Sequence, residues 1–83
     1  MPTPLSILLI DDDLERSRVL QSLFEYSGIE CRVVDFSSWP QQQGLLAPGV
    51  SAVLLGDSRQ PLNLEQLLAQ LQTRDPHVPV LFL

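Results

Sequence analysis

The sequence predicts an α/β fold built on a parallel sheet, and three observations carry that prediction. Short apolar runs of strand length, "SILLI", "VSAVLLG" and "VPVLFL", are spread along the chain. Between them lie segments whose apolar residues recur at helical spacing. The middle run is apolar almost throughout, which suits a strand covered on both faces by crossover helices. The resulting β-α-β-α-β-α-β order implies right-handed crossovers with helices on both sides of the sheet.

The first strand, Ser6–Ile10, runs directly into Asp11, Asp12 and Asp13. Asp13 is placed to cap a helix whose apolar stripe would be Val19, Leu20, Leu23 and Phe24, and Gly28 marks its C-terminal stop. A second strand, Glu30–Phe36, alternates through Cys31 and Val33, slips at Val34 and resumes at Phe36, the pattern of a strand with one polar face or at an edge. Ser37 or Ser38 then precedes "WP", with Pro40 in the first turn of a short helix over "QQQGLL" that Gly44 and Pro48 end early. Trp39 suits a hydrophobic staple at that helix start, with an interface anchor as the alternative.

The third strand, Val50–Gly56, is followed by the polar loop "GDSRQP". Asn63 then caps a helix in which Leu64, Leu67, Leu68 and Leu71 recur at i, i+3, i+4 and i+7, and all four are expected in the core. "DPHVP" breaks that helix, leaving His77 solvated in a turn, and Val78–Leu83 forms the fourth strand. As a long apolar edge this strand calls for a cover, from a continuation of the chain, a dimer partner or a swapped element.

Eighty-three residues make one small domain, 1–83, of a size at which burial alone is marginal. The net charge is −5, with five arginines and no lysine, so the chain lacks the clustered basic face that binding to nucleic-acid phosphates requires. Cys31 is the single cysteine, which excludes an internal disulfide and a cysteine-based metal site, and it reads as a buried structural thiol. "MPTPLS" is not a secretory leader, and no apolar stretch is long enough to span a bilayer, so a cytoplasmic protein without membrane contact is expected.

Carboxylates at the C-terminal end of a central strand stand where open α/β sheets bind ligands. "ILLIDDDLERSRVL", followed by "SAVLLGDSRQP" and "VPVLFL", resembles the response-regulator receiver domain, a flavodoxin-like (CheY-like) fold. The resemblance implies sheet order 2-1-3-4 with truncation after strand four, lacking the last helix-strand-helix part. It also makes Asp11 and Asp12 the acidic pair that binds Mg²⁺ in that family. Hard oxygen ligands on one rim are what Mg²⁺ takes, and the metal would offset the charge of an incoming phosphoryl group.

The departure from the family lies in "VLLG", where Gly56 stands in the phosphoacceptor position, 56 − 12 = 44 residues after Asp12 as the family spacing requires. A glycine has no nucleophile. Asp57 is one residue on, and strand alternation would aim it away from the pair unless the loop rearranges. The hydroxyl residue that follows strand four in receivers and the lysine that follows strand five are also missing. The phosphorylation switch is therefore incomplete in these residues.

Degenerate receivers with this "LLG" ending, an intact acidic pair and the pattern of Phe24, Glu25, Gly28 and Cys31 resemble the N-terminal domain of FleQ-type (FlrA-type) flagellar regulators. These are sigma-54-dependent activators with an AAA+ ATPase domain and a helix-turn-helix domain. The resemblance implies a phosphorylation-independent regulatory and dimerisation module that contacts itself and its own AAA+ domain, controls flagellar or biofilm genes, is not an enzyme, and requires no cofactor beyond weakly held Mg²⁺. One alternative is a genuine phosphoreceiver using Asp57. A remote one is a haloacid-dehalogenase-like phosphatase fragment with Asp11 as nucleophile and Asp13 as acid/base. Glu15 stands where that family wants Thr or Val, and its lysine is missing. The plainest reading makes the aspartates a solvated turn in which Asp13 caps a helix.

Overall fold

Consecutive apolar residues in Ser6–Ile10 (β1) suit this strand to the centre of the sheet, because they can be buried on both sides at once. The computed structural model describes residues 5–39, 50–61, 63–74 and 76–83. Over these residues β1 is followed by helix α1 (Leu14–Tyr26), β2 (Glu30–Val34), β3 (Ala52–Leu55), helix α2 (Leu64–Arg74) and β4 (Val80–Phe82). All pairings are parallel, and the sheet order is β2-β1-β3-β4, as the receiver resemblance implies. The short helix expected over "QQQGLL" lies outside the described residues.

The alternation of β1 sorts the core into two layers. Leu8 and Ile10 face one side with Val34, Trp39, Val53, Leu55, Leu67 and Leu71, beneath α2. Leu9 faces the other with Cys31 and Leu54, packed against Leu20 and Phe24 of α1. The apparent slip in β2 is this same two-sidedness: Cys31 and Val33 belong to the α1 layer, whereas Val34 belongs to the α2 layer. Phe36 packs against the α2 layer from beyond the strand end, since β2 stops at Val34.

Helix α1 begins where expected. Asp13 caps it by accepting a hydrogen bond from the Arg16 N–H at 3.0 Å, and Gly28, at φ +80°, ends it. The Ile29 N–H donates to the Phe24 carbonyl at 2.8 Å and the Gly28 N–H to that of Glu25 at 3.0 Å, a Schellman closure that needs the left-handed conformation at residue 28.

The buried stripe of α1 is not the expected one. Ser17, Leu20, Gln21 and Phe24 face the sheet, while Val19 and Leu23 are both 59% exposed. At 100° per residue, Val19 lies about 150° and Leu23 about 110° from the centre of that stripe, outside the arc one helix can bury against one sheet. Polar Ser17 and Gln21 can sit inside because their side chains bond the Asp13 and Cys31 carbonyls at 2.7 and 2.9 Å.

Asn63 caps α2 by accepting from the Gln66 N–H at 3.0 Å. Leu67 and Leu71 are buried and Leu68 partly so, but Leu64, in the first turn, is 39% exposed rather than core. Trp39 is 1% exposed, and its indole N–H donates to Gln70 Oε1 at 3.2 Å. It is a core residue locking the end of β2 to α2, which corrects the interface-anchor alternative. Strand β4 is shorter than the apolar run that contains it, and Leu81, Phe82 and Leu83 are half or more exposed along its edge.

Candidate functional site

Parallel pairing of β1 with β3 sets Ile10 beside Leu55, so the residues leaving the two strands, Asp11 and Gly56, emerge side by side at the C-terminal rim. Backbone bonds extend the pairing past the strands. The Gly56 N–H donates to the Ile10 carbonyl at 2.8 Å, the Asp12 N–H to the Asp57 carbonyl at 2.9 Å, and the Asp11 N–H to the Val34 carbonyl at 3.0 Å. The sequence-predicted residues Asp11, Asp12, Gly56 and Asp57 are thus brought together at one place.

Asp11 is fully buried at 0% exposure. Its Oδ1 accepts from the backbone N–H groups of Asp13 at 2.9 Å and Asp57 at 3.0 Å. Its Oδ2 accepts from Arg16 Nε at 2.9 Å, and Arg16 Nη2 also stands 2.9 Å from it. The Nε bond is the directed one; Nη2 has proximity to two carboxylates but no aligned hydrogen bond. The hydrogen bond to Asp11 raises the Arg16 guanidinium above its ordinary value, against a lowering by burial.

Asp12 faces the other way from the strand end. Its Oδ1 accepts from the Phe36 N–H at 3.0 Å and its Oδ2 from the Arg59 N–H at 2.8 Å, tying the loop after β2 to the loop after β3. All four oxygens of the acidic pair are therefore engaged by donors of this chain. Asp57 is different: its side chain is 76% exposed, and its Oδ2 reaches Arg16 Nη2 at 3.4 Å. Asp13 is exposed and occupied as the α1 cap.

The space beside Gly56 is filled. A Cβ built on residue 56 would lie 2.2 Å from Asp11 Cγ and 2.4 and 2.6 Å from its two oxygens. Above this knot an open cleft of about 440 Å³ is lined by Asp12, Leu14, Asp35, Phe36, Ser58 and Arg59, among others. Asp35, on its wall, is held below the usual carboxylate value by hydrogen bonds from Ser38. Among the described residues, no three His, Cys, Asp or Glu side chains converge as a metal-binding group.

Arg16 is the residue that sequence reasoning passed over. The signal was present: with no lysine in the chain, a cation for a buried carboxylate has to be an arginine, and Arg16 stands in the first turn of the helix that Asp13 caps.

A family model described as "Flagellar regulatory protein FleQ" matches residues 6–83. No curated protein matches the chain. Among the described residues no helix is long and apolar enough to cross a membrane.

Proposed function

The chain belongs to the FleQ family of flagellar regulatory proteins, and from that premise we propose that it is an atypical receiver module, residues 1–83, that regulates without being phosphorylated. It acts in the cytoplasm within a sigma-54-dependent activator of flagellar genes, through association with a second copy of itself and with the AAA+ domain of its own protein. It catalyses nothing.

The observation that carries this reading is the relation of Gly56 to Asp11. The position resembling a phosphoacceptor has no side chain, and a buried carboxylate fills the space beside it. Phosphoryl transfer needs a nucleophile held against a metal that offsets the developing charge. Gly56 offers no nucleophile, and the oxygens of Asp11 and Asp12 already have donors.

One observation favours the alternative phosphoreceiver: Asp57 is exposed and reachable from solvent. Incubation of the full-length protein with Mg²⁺ and acetyl phosphate, read by intact mass beside Asp57→Asn, separates the two. The expected result is no phosphoryl adduct on either protein. An adduct on the parent that Asp57→Asn abolishes would make Asp57 a shifted acceptor.

The exposed apolar side chains Leu81 and Phe82 of β4, the outer strand among the described residues, support self-association, since apolar side chains on an outer strand suit a partner surface. Leu81→Glu is expected to weaken self-association about tenfold or more in sedimentation equilibrium, with the circular dichroism unchanged. Unaltered association would move the contact away from β4.

A further inference from the structure

We propose that Arg16 is the resident counter-cation of Asp11, the buried member of the acidic pair, and that Gly56 is obligatory, because the Asp11 carboxylate that Arg16 holds occupies the space any side chain at residue 56 would need. While that pair stands, the rim accommodates neither the Mg²⁺ that the receiver resemblance implies nor a restored acceptor side chain. The inference deepens the phosphorylation-independent reading. Its tests read stability and Mg²⁺, so the arrangement can fail while the absence of an adduct stands, and the reverse.

Three observations converge on it. First, glycine at 56 is not a backbone requirement: Gly28 alone among the described residues has a left-handed φ, so an L-residue is compatible with the main chain at 56. What excludes a side chain is space, with Asp11 Cγ only 2.2 Å from the Cβ position. Second, Asp11 has no freedom to withdraw cheaply, since two backbone N–H groups and Arg16 all aim at its oxygens from different sides. Third, Arg16 bridges Asp11 and Asp57, at 2.9 and 3.4 Å, so it lies between the carboxylates that a divalent ion would otherwise draw together.

Mg²⁺ demands near-octahedral oxygen ligation and surrenders its water reluctantly. A ligand that is fully buried and already engaged by a guanidinium and two backbone N–H groups does not meet that demand. The exchange of metal for arginine also explains why the position of the nucleophile is vacant: once Asp11 turns inward to Arg16, a glycine is the residue that fits beside it.

Two measurements on the full-length protein decide the matter. In urea unfolding followed through Trp39, the single tryptophan of these 83 residues, with any tryptophan outside them replaced by phenylalanine, Gly56→Ala lowers the midpoint in the parent. In the Asp11→Ala background the same change shifts the midpoint by less than about half as much, because two conflicting groups no longer meet. An equal fall in both backgrounds overturns the spatial argument.

Independently, addition of about 10 mM MgCl₂ leaves the unfolding temperature of the parent and of Arg16→Lys within about 1 °C, and raises that of Arg16→Met by about 5 °C. A rise in the parent equal to that in Arg16→Met, or no rise in Arg16→Met, overturns the role given to Arg16. Should Arg16→Met not fold in metal-free buffer, recovery of native Trp39 fluorescence on adding MgCl₂ supports the proposal, and failure to recover counts against it.

Discussion

Trp39→Ala is expected to destabilise the domain by about 4 kcal/mol, the middle of the range for truncating a large buried aromatic residue. Trp39 heads the fully buried side chains by volume, at 1% exposure, and touches the layer formed by Leu8, Ile10, Val34, Val53, Leu55, Leu67 and Leu71. Its removal opens a cavity between β2 and α2 that the sheet cannot collapse into, because the strands on either side are fixed by their ladder. It also leaves Gln70 Oε1 without the indole donor at 3.2 Å. Domains of this size hold only about 5 kcal/mol or slightly more in total, so only about 1 kcal/mol should remain and a measurable fraction of the molecules should be unfolded without denaturant. Trp39→Phe separates the two contributions: it keeps most of the apolar volume and loses the hydrogen bond, and should cost about 1–2 kcal/mol. Urea titration followed by far-UV circular dichroism measures both, and a cost below about 2 kcal/mol for the alanine variant would mean that Trp39 is not what holds α2 to the sheet.

Trp39 also marks how far the fold was legible in the sequence. The strands and both described helices follow from periodicity and end signals that act locally, whereas the strand order came only with the receiver resemblance: Asp13, Gly28 and Asn63 each do what their residue type does best at a helix end. What periodicity could not decide was depth. In α1 the apolar residues Val19 and Leu23 looked inward, yet Ser17 and Gln21 take the inward places because carbonyls of Asp13 and Cys31 accept their hydrogen bonds. Trp39 looked like a helix-start staple or a surface anchor because its partners, from Leu8 to Leu71, are scattered along the chain. Tertiary packing chose among stripes that the sequence presented as equivalent.

The site was legible in its membership and not in its wiring. Strand ends, read through the receiver resemblance and its 44-residue spacing, already imply that Asp11, Asp12, Gly56 and Asp57 lie together. Their roles depend on which way each carboxylate turns, and that is settled by donors supplied from elsewhere: Arg16, and the N–H groups of Phe36, Asp57 and Arg59. Side-chain direction at a strand exit is not a periodic quantity. Asp11 and Asp12 are adjacent in sequence, yet one is sealed inside and the other strings two loops together.

Asp11→Ala is therefore expected to behave as the loss of a structural keystone, costing about 3 kcal/mol. The substitution strips an acceptor from the Asp13 N–H and the Asp57 N–H, and removes the partner that holds Arg16 in place. Each orphaned buried donor costs about 1–3 kcal/mol if water cannot reach it. The Arg16 side chain is 32% exposed and retains Asp57, so it can rehydrate and adds less than a sealed ion would. Asp11→Asn keeps the shape and one acceptor oxygen, so it should fall between parent and alanine variant. Urea unfolding gives the stabilities, and amide hydrogen exchange gives the cause: protection of the Asp57 amide should drop sharply in Asp11→Ala while that of the β1 amides falls only with global stability. Were Asp11 merely the remnant of a metal site, the alanine variant would relieve a buried charge, lose less than about 1 kcal/mol, and leave the Asp57 amide protected. The two outcomes differ by enough to distinguish a carboxylate that the fold has absorbed from one that it only tolerates.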